Sequence, residues 1–331
     1  MTTAPPADRA ALFRADIEAS AAALERQLDA YAAPTGALAT IGVLGASASS
    51  RPLVIGLGSS RYAGLAVRDV LRERGVGLDV ERPADVESVA HEPGRLVFAV
   101  SASGQTPELV RAVARHAEAA EVVVGVTNDS SSVLAGTATA TLPLLAGAEQ
   151  AGVACRTFRA TVSALALSIG RLGGGGYDVE RIRPSVAGLT SVIDGSAVWL
   201  TDVASELDRA DDVHVIGGPG RAGLIDQAAL MLREAPRLWA TAYDASEWLH
   251  VGVYTALPGS AALVYSGTAY DGEIVDTVKR RGGRVVVVGR PIDGASLVVP
   301  VPVSADPLVD AIVESAVAEL IAAELWSRAG P

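Results

Sequence analysis

Two short loops hold the residue types best suited to chemistry. One is Ser101-Ala102-Ser103-Gly104-Gln105-Thr106-Pro107-Glu108, which lies between an apolar run and a helical stretch. Small hydroxyl residues at a helix N-terminus leave backbone N–H groups open and add hydroxyl donors. That is an anion cradle, and phosphate is its natural occupant. Gly104 permits close backbone approach or a positive φ. Pro107 suits the first helical turn, where no N–H is needed. The same residues also suit an ordinary helix cap by Thr106. The other loop, Gly58-Ser59-Ser60-Arg61, repeats this chemistry after the first strand. Two such loops at neighbouring C-terminal strand edges converge on one crevice. The candidate phosphate ligands are therefore Gly58, Ser59, Ser60, Ser101, Ser103, Gly104 and Thr106. Gly56-Leu57-Gly58 also starts like a dinucleotide fingerprint, with Asp79 or Glu81 as the ribose acid. Arg61 stands at the third glycine, however, and that motif leaves the later Ser/Thr loop unexplained.

The elements that must position these loops alternate along the chain. Spacing predicts a helix over Ala10–Tyr31. Strands are expected at Pro52–Leu57, Leu78–Arg82, Leu96–Ser101, Glu121–Thr127 and Thr139–Leu144, with helices at Tyr62–Arg74, Pro107–Ala119 and Thr157–Leu172. The run Gly173–Gly176 is the best linker candidate. One helix is expected from Arg183 to Leu207. Strands then restart at Val213–Ile216, Ala261–Tyr265, Arg284–Val288 and Leu297–Val301, with helices at Ala222–Arg233, Gly272–Arg281 and Leu308–Trp326. Strands alternating with helices imply parallel sheets covered on both faces.

The two halves resemble each other. VIGLGSSRYAGLAVRDVLRE (Val54–Glu73) aligns without a gap on VIGGPGRAGLIDQAALMLRE (Val215–Glu234). VSASGQTPELVRAV (Val100–Val113) matches YSGTAYDGEIVDTV (Tyr265–Val278) in type. The expectation is two duplicated α/β domains. In the second copy Asp271 replaces Thr106 and Ala269 replaces Gly104. A carboxylate aimed into the cradle repels phosphate, so only the first copy is expected to bind it.

Composition narrows the class. With 331 residues, about two domains are expected. Half the residues are hydrophobic, which excludes a disordered chain. The net charge of −11, with no basic run, argues against a nucleic-acid partner. Cys155 is the only cysteine, which excludes an internal disulfide and a thiol-rich metal site. The N-terminal stretch lacks the pattern of a signal peptide and no apolar run is long enough to span a membrane, so a cytoplasmic protein with no membrane partner is expected. No metal-ligand spacing stands out among His91, His116, His214 and His250. Neither a metal nor an organic cofactor is expected. Lys279 is the only lysine, so any mechanism needing an amine must use it or do without.

Taken together, these residues resemble the tandem sugar-isomerase (SIS) domain family, in particular the isomerase half of glucosamine-6-phosphate synthase and its stand-alone relatives. The likeness runs from about Phe13 to Ala323. FRADIEASAAAL resembles the family's N-terminal helix, and GSS and SASGQT its two phosphate loops. EQAGVACRTF (Glu149–Phe158) is similar to its E-x-x-VAST segment, with Cys155 and Arg156 in place of Ser and Thr. DQAALMLREAPRLWATAYDASEWLH (Asp226–His250) looks like its LEGALKLKE…ELKH segment.

The resemblance implies two flavodoxin-like, three-layer αβα domains. It divides the chain into an N-terminal helix (1–35), a phosphate-binding domain (36–175), a linker (176–195) and a second domain carrying the catalytic residues (196–331). It places Glu234 on the family's catalytic glutamate and His250 on the histidine that opens the sugar ring, which reaches the site from the neighbouring subunit of a homodimer. Val153, Cys155 and Glu247 fall on weaker substrate contacts. Gln227 and Met231 replace a glutamate and a lysine, and the family's closing tail with its reactive lysine is absent.

Chemistry agrees with part of this. Aldose–ketose isomerisation needs one base to move a proton between adjacent carbons, and a partly buried glutamate suits it. Ring opening needs a proton donor, and histidine suits that. The phosphate supplies remote binding energy. The bland alternatives are a solvated helix-end carboxylate for Glu234 and a packed histidine for His250. A glutamine-dependent synthase would need an N-terminal nucleophilic cysteine, whereas the sequence begins Met1-Thr2. The expected activity is isomerisation of a phosphorylated sugar or amino sugar, with or without deamination. A deglycase acting on a sugar-phosphate–amine adduct and a non-catalytic sugar-phosphate sensor are the alternatives.

Overall fold

The computed structural model describes residues 6–45, 51–85, 91–119, 121–172 and 175–329. Gly173 and Gly174 of the expected linker lie outside the described residues. Three helices open the chain, α1 (Pro6–Glu18), α2 (Ser20–Ala32) and α3 (Ala37–Gly45). The helix expected over Ala10–Tyr31 is thus two helices, with a turn at Ala19 between them. The first sheet follows: β1 (Leu53–Ile55), α4 (Ser59–Glu73), β2 (Asp79–Glu81), β3 (Leu96–Val100), α5 (Pro107–Glu118), β4 (Val122–Thr127), α6 (Val133–Thr137) and β5 (Ala140–Pro143). Then come α7 (Arg156–Arg171), α8 (Val179–Ile182), α9 (Pro184–Gly195) and α10 (Leu200–Asp208). The second sheet is built from β6 (Val213–Gly217), α11 (Ala222–Glu234), β7 (Ala240–Asp244), α12 (Ala245–Trp248), β8 (Ala261–Tyr265), α13 (Asp271–Arg280), β9 (Arg284–Val288) and β10 (Leu297–Val299), before the closing α14 (Pro307–Arg328).

The structure corrects two further expectations. The helix expected from Arg183 to Leu207 breaks after Gly195, where a single 3-10 turn (Ser196–Val198) intervenes. Glycine stabilises a helix poorly, and a tighter turn commonly takes over at a helix end. The strand β7 is not among the strands that the sequence predicts. Of its residues ATAYD only Ala240 is buried, and the strand pairs on one side alone, with β6. An edge strand of that composition carries no apolar run to mark it.

Two compact units emerge. One contains residues 22–148 and 156–184, with the first sheet; the other contains residues 1–21, 149–155 and 185–331, with the second. All described strand pairs are parallel. The first sheet has the order β2-β1-β3-β4-β5 and the second β7-β6-β8-β9-β10, the same arrangement. Their central strands are buried along their whole length, as parallel strands covered on both faces should be. Leu53, Ile55, Val97, Ala99, Leu109, Val113 and Leu134 form one core of the first-sheet unit. Ile216, Trp248, Val264, Ile274, Val285 and Val287 form one in the second.

In the second-sheet unit α14 is buried nearly all round. Pro307 starts it, and the Asp306 carboxylate accepts from Leu308 N at 3.0 Å. The Trp326 ring meets Phe13 of α1 edge-on, with centroids 6.2 Å apart, and the Arg9 guanidinium lies over it at 5.1 Å. Among the described residues no helix is long and apolar enough to cross a membrane.

The first loop is positioned by a close helix–sheet contact. Gly64 of α4 lies against β1 and β2, where a Cβ would stand 2.9 Å from Val54 Cγ1 and 3.1 Å from Val80 Cγ1. Gly64→Leu should destabilise the protein. Overpacking of about 1–3 kcal/mol outweighs the roughly 1 kcal/mol gained in helix propensity. Urea unfolding of the variant should show a lower midpoint than wild type, and an unchanged midpoint would contradict this packing.

Candidate functional site

Strand order in the first sheet reverses between β1 and β3. These strands pair in parallel with Ile55 opposite Ala99, so the loops that follow them leave adjacent strand ends. Such a reversal opens a crevice between helices that depart to opposite faces. The structure thus brings Gly58, Ser59 and Ser60 to one side of this edge and Ser101, Ser103, Gly104 and Thr106 to the other.

The second of these loops is braced from behind. Ser101 N donates to Val126 O at 3.0 Å. Gly104 N donates to Ser101 Oγ at 3.1 Å, and the Ser101 and Thr106 hydroxyls are hydrogen-bonded at 3.0 Å. Thr106 occupies the N-cap position of α5, yet its side chain makes no capping bond. The simple cap reading therefore does not apply, because the hydroxyl is turned to Ser101 instead. Ala102 O accepts from Asn128 N at 3.0 Å and from Thr127 Oγ1 at 3.2 Å, and Gly104 O accepts from Leu134 N at 3.0 Å. These carbonyls are engaged by the last residue of β4 and the chain after it. Gly104 has φ +62°, and a Cβ there would lie 2.0 Å from Ser132 Oγ, so only glycine fits.

In the other loop Gly58, with φ +51°, stands at the N-cap of α4 and offers no side chain to cap it. Ser59 and Ser60 are half-buried, and Arg61 Nε is buried with no partner. A cleft of about 560 Å³ opens at the same edge, lined by Arg26, Ala102, Asn128, Asp129, Leu145 and Gly147 among others. Arg26, Asn128 and Asp129 are not among the candidates that the sequence marks. The polar run Thr127-Asn128-Asp129-Ser130-Ser131-Ser132 after β4 was the available signal. Asn128 ties the cleft wall, donating to Gly147 O at 2.6 Å and accepting from Ala146 N at 3.0 Å. Bonds from Ser131 N and Oγ hold the Asp129 carboxyl below the usual range.

In the second-sheet unit the order reverses likewise between β6 and β8. There the equivalent cradle is filled from within. The Asp271 carboxylate accepts from Gly267 N at 2.7 Å, Thr268 N at 3.2 Å and Thr268 Oγ1 at 2.5 Å. Arg221 of the facing loop donates to Ser266 O at 2.9 Å. The loops touch, since a Cβ on Gly218 would lie 2.2 Å from Thr268 Cγ2.

The remaining candidates belong to this second-sheet unit. Glu234 is the last residue of α11 and is half-buried. Burial pushes its carboxyl up, against the lowering effect of Arg237 and Arg9. That is not the environment of a solvated helix-end carboxylate. His250 lies in the turn after α12 and is exposed, as is Glu247. Val153 and Cys155 have fully buried side chains. Cys155 N donates to Glu149 Oε1 at 3.1 Å. Their segment is tied to α11 by Gln227 Nε2, which donates to Ala154 O at 3.0 Å, and to α1 by Arg9, which donates to Ala151 O at 3.1 Å.

No family model matches the sequence. The chain is 27% identical over 259 residues to a glutamine–fructose-6-phosphate aminotransferase (isomerizing) from Sulfolobus acidocaldarius, and 31% identical over 259 residues to the protein of that name from Aeropyrum pernix. Each match covers 72% of this chain and 41% of the relative, so the chain spans about two fifths of the length of these curated relatives. Among solved structures it is similar to the C-terminal domain of glucosamine-fructose-6-phosphate aminotransferase from Francisella tularensis (TM-score 0.77, 16% identity, covering 94% of this chain and 95% of that one). It is also similar to glucosamine-6-phosphate deaminase from Thermotoga maritima (0.76, 19%, 95% and 93%) and to tagatose-6-phosphate ketose/aldose isomerase from Escherichia coli (0.77, 16%, 94% and 92%). At these identities the structural likeness is one of fold: two parallel α/β units of five strands each.

One buried charge group in the second-sheet unit titrates near neutrality. Glu314 of α14 accepts from Arg221 Nη2 at 3.0 Å, while its Oε2 is buried with no partner. Burial pushes its carboxyl up to about 7, and the negative charge of Glu314 helps push the buried Tyr265 hydroxyl up. An acid raised in the folded state favours folding when protonated. Its contribution is complete below the unfolded value near 4.5 and is lost as pH rises through about 7. The loss is on the order of 3 kcal/mol. Glu314→Gln should therefore be more stable relative to wild type at pH 8 than at pH 5, read as a Tm difference that widens with pH. Parallel Tm–pH curves would contradict it.

Proposed function

We propose that the chain is a tandem SIS-domain protein that binds a hexose or amino-hexose 6-phosphate and isomerises its open-chain form between aldose and ketose. The observation that carries this reading is the contrast between the two sheet edges. The helix N-termini at both edges lack capping side chains, but in the second Asp271 takes the loop amides of Gly267 and Thr268, whereas the equivalent position in the first is Thr106, whose hydroxyl bonds Ser101. An uncapped pair of helix ends lined by hydroxyls suits a dianionic phosphate. The names carried by the similar proteins, an aminotransferase of fructose 6-phosphate, a deaminase and a ketose/aldose isomerase of 6-phosphates, support the same substrate class.

In this reading Ser59, Ser60, Ser101, Ser103, Thr106 and the backbone of Gly58 and Gly104 hold the phosphate. His250, from the second subunit of a homodimer, gives the ring oxygen its proton on opening. Glu234 removes the proton from C2 of the aldose to form an enediol and returns it to C1 while the hydroxyl proton moves from O2 to O1. With an amino sugar, the ketose-side imine could add water and release ammonia. The raised carboxyl of Glu234 suits a base that must give its proton back. Amine transfer from glutamine fits less well. Gln227 and Met231 stand where the family has a glutamate and a lysine, and the only lysine, Lys279, lies on α13. Val153, Cys155 and Glu247 act around the site in supporting roles.

The test is deuterium exchange at C1 and C2 of hexose and hexosamine 6-phosphates in D2O, followed by proton NMR. Wild type should catalyse exchange. Glu234→Gln should lower the rate by about 10²-fold or more while still binding the sugar phosphate. Exchange unchanged in the variant would remove Glu234 from the mechanism. Binding without exchange in wild type would make the protein a sensor.

A further inference from the structure

A second cluster lies at the other end of the first sheet. His116 is on the last turn of α5, Glu121 immediately precedes β4, and His91 lies in the segment leading to β3. All three belong to the N-terminal ends of parallel strands, whereas the Ser/Thr loops follow the C-terminal ends. The six residues of β4 set the two edges roughly 20 Å apart.

Both imidazoles turn the same nitrogen toward one carboxylate oxygen. His91 Nδ1 is 3.1 Å from Glu121 Oε2, and His116 Nδ1 also contacts Glu121 Oε2. The rings meet edge-to-face with centroids 4.9 Å apart. One donor atom from each residue falls within 4.8 Å of the others. His116 Nε2 is buried without a partner, so Nδ1 is the nitrogen through which that ring interacts. The other carboxylate oxygen is fixed, since Glu92 N donates to Glu121 Oε1 at 3.0 Å. A backbone donor behind a ligating carboxylate orients it, as outer-shell partners of metal sites do. His116 and Glu121 are buried, whereas His91 remains partly exposed and leaves an entry path. The neighbouring cation that acts on His116, Arg95, is already paired with Asp79.

We propose that His91, His116 and Glu121 form a binding site for one divalent transition-metal ion of the zinc class. Two imidazole nitrogens and one carboxylate oxygen form a donor set that zinc accepts, with a water completing the tetrahedron on the His91 side. The ion ties three segments at the N-terminal edge of the sheet, remote from the sugar-phosphate crevice, and so acts on stability rather than on the reacting atoms.

The full-length chain, stripped with chelator, is titrated with Co2+ and followed by its visible d–d absorption, with Zn2+ as competitor and Tm as a second readout. The expected result is saturation at one ion per chain, bands of a four- or five-coordinate ion, and a rise in Tm. His91→Ala, at the most exposed ligand, should fold normally and bind at least about tenfold more weakly. Glu121→Gln should show the same loss. No saturable binding would overturn the site, and so would binding that His91→Ala and Glu121→Gln leave unchanged.

Discussion

A parallel strand order that reverses in mid-sheet leaves an opening that no connection covers. Chains entering β1 and β3 send their following helices to opposite faces, so the loops between cannot fill the gap above the strand ends. In the first sheet that opening lies between Gly58–Arg61 and Ser101–Thr106, which follow neighbouring strands. The local details follow from it. Gly104 must take a positive φ to pass Ser132, and the carbonyls of Ala102 and Gly104 must find donors behind the loop. Ser101 and Thr106 bond each other rather than cap α5.

The second sheet meets the same constraint and resolves it within the chain. Its carboxylate at position 271 satisfies two loop amides and a hydroxyl, and Arg221 joins the facing loop to Ser266 and Glu314. One architecture thus holds one loop pair lined by hydroxyls and one whose amides a carboxylate takes. The difference rests on a few side chains, Thr106 against Asp271 foremost. The second edge pairs the part-buried Arg221 with the buried Glu314, whose carboxyl burial pushes up to about 7, a cost that hydroxyl loops avoid.

Much of this was legible in the sequence because apolar strands and Gly/Ser/Thr turns mark themselves. β8 and β9 have the bounds that their residues predict, and Asp271 announced its role by charge alone. What escaped had no local signature. β7 is a half-exposed edge strand, and the breaks at Ala19 and after Gly195 interrupt stretches that keep helical spacing. Arg26, Asn128 and Asp129 line the cleft only because α2, the β4 end and the segment after β5 come together. His91, His116 and Glu121 converge across two elements, so no spacing rule among the histidines reveals them. The buried surroundings of Glu234 likewise depend on packing that a helix-end glutamate does not disclose.

The central claim is that the first-sheet crevice is an open phosphate cradle, and Thr106→Asp tests it most directly. Aspartate is a good N-cap, so the ligand-free variant should keep or raise its Tm. Fructose 6-phosphate should raise the Tm of wild type, corresponding to about 2.7 kcal/mol at a hundredfold excess over Kd, while fructose should not. In the variant the phosphate response should vanish. Equal stabilisation by the unphosphorylated sugar, or a phosphate response that survives in Thr106→Asp, would contradict the account.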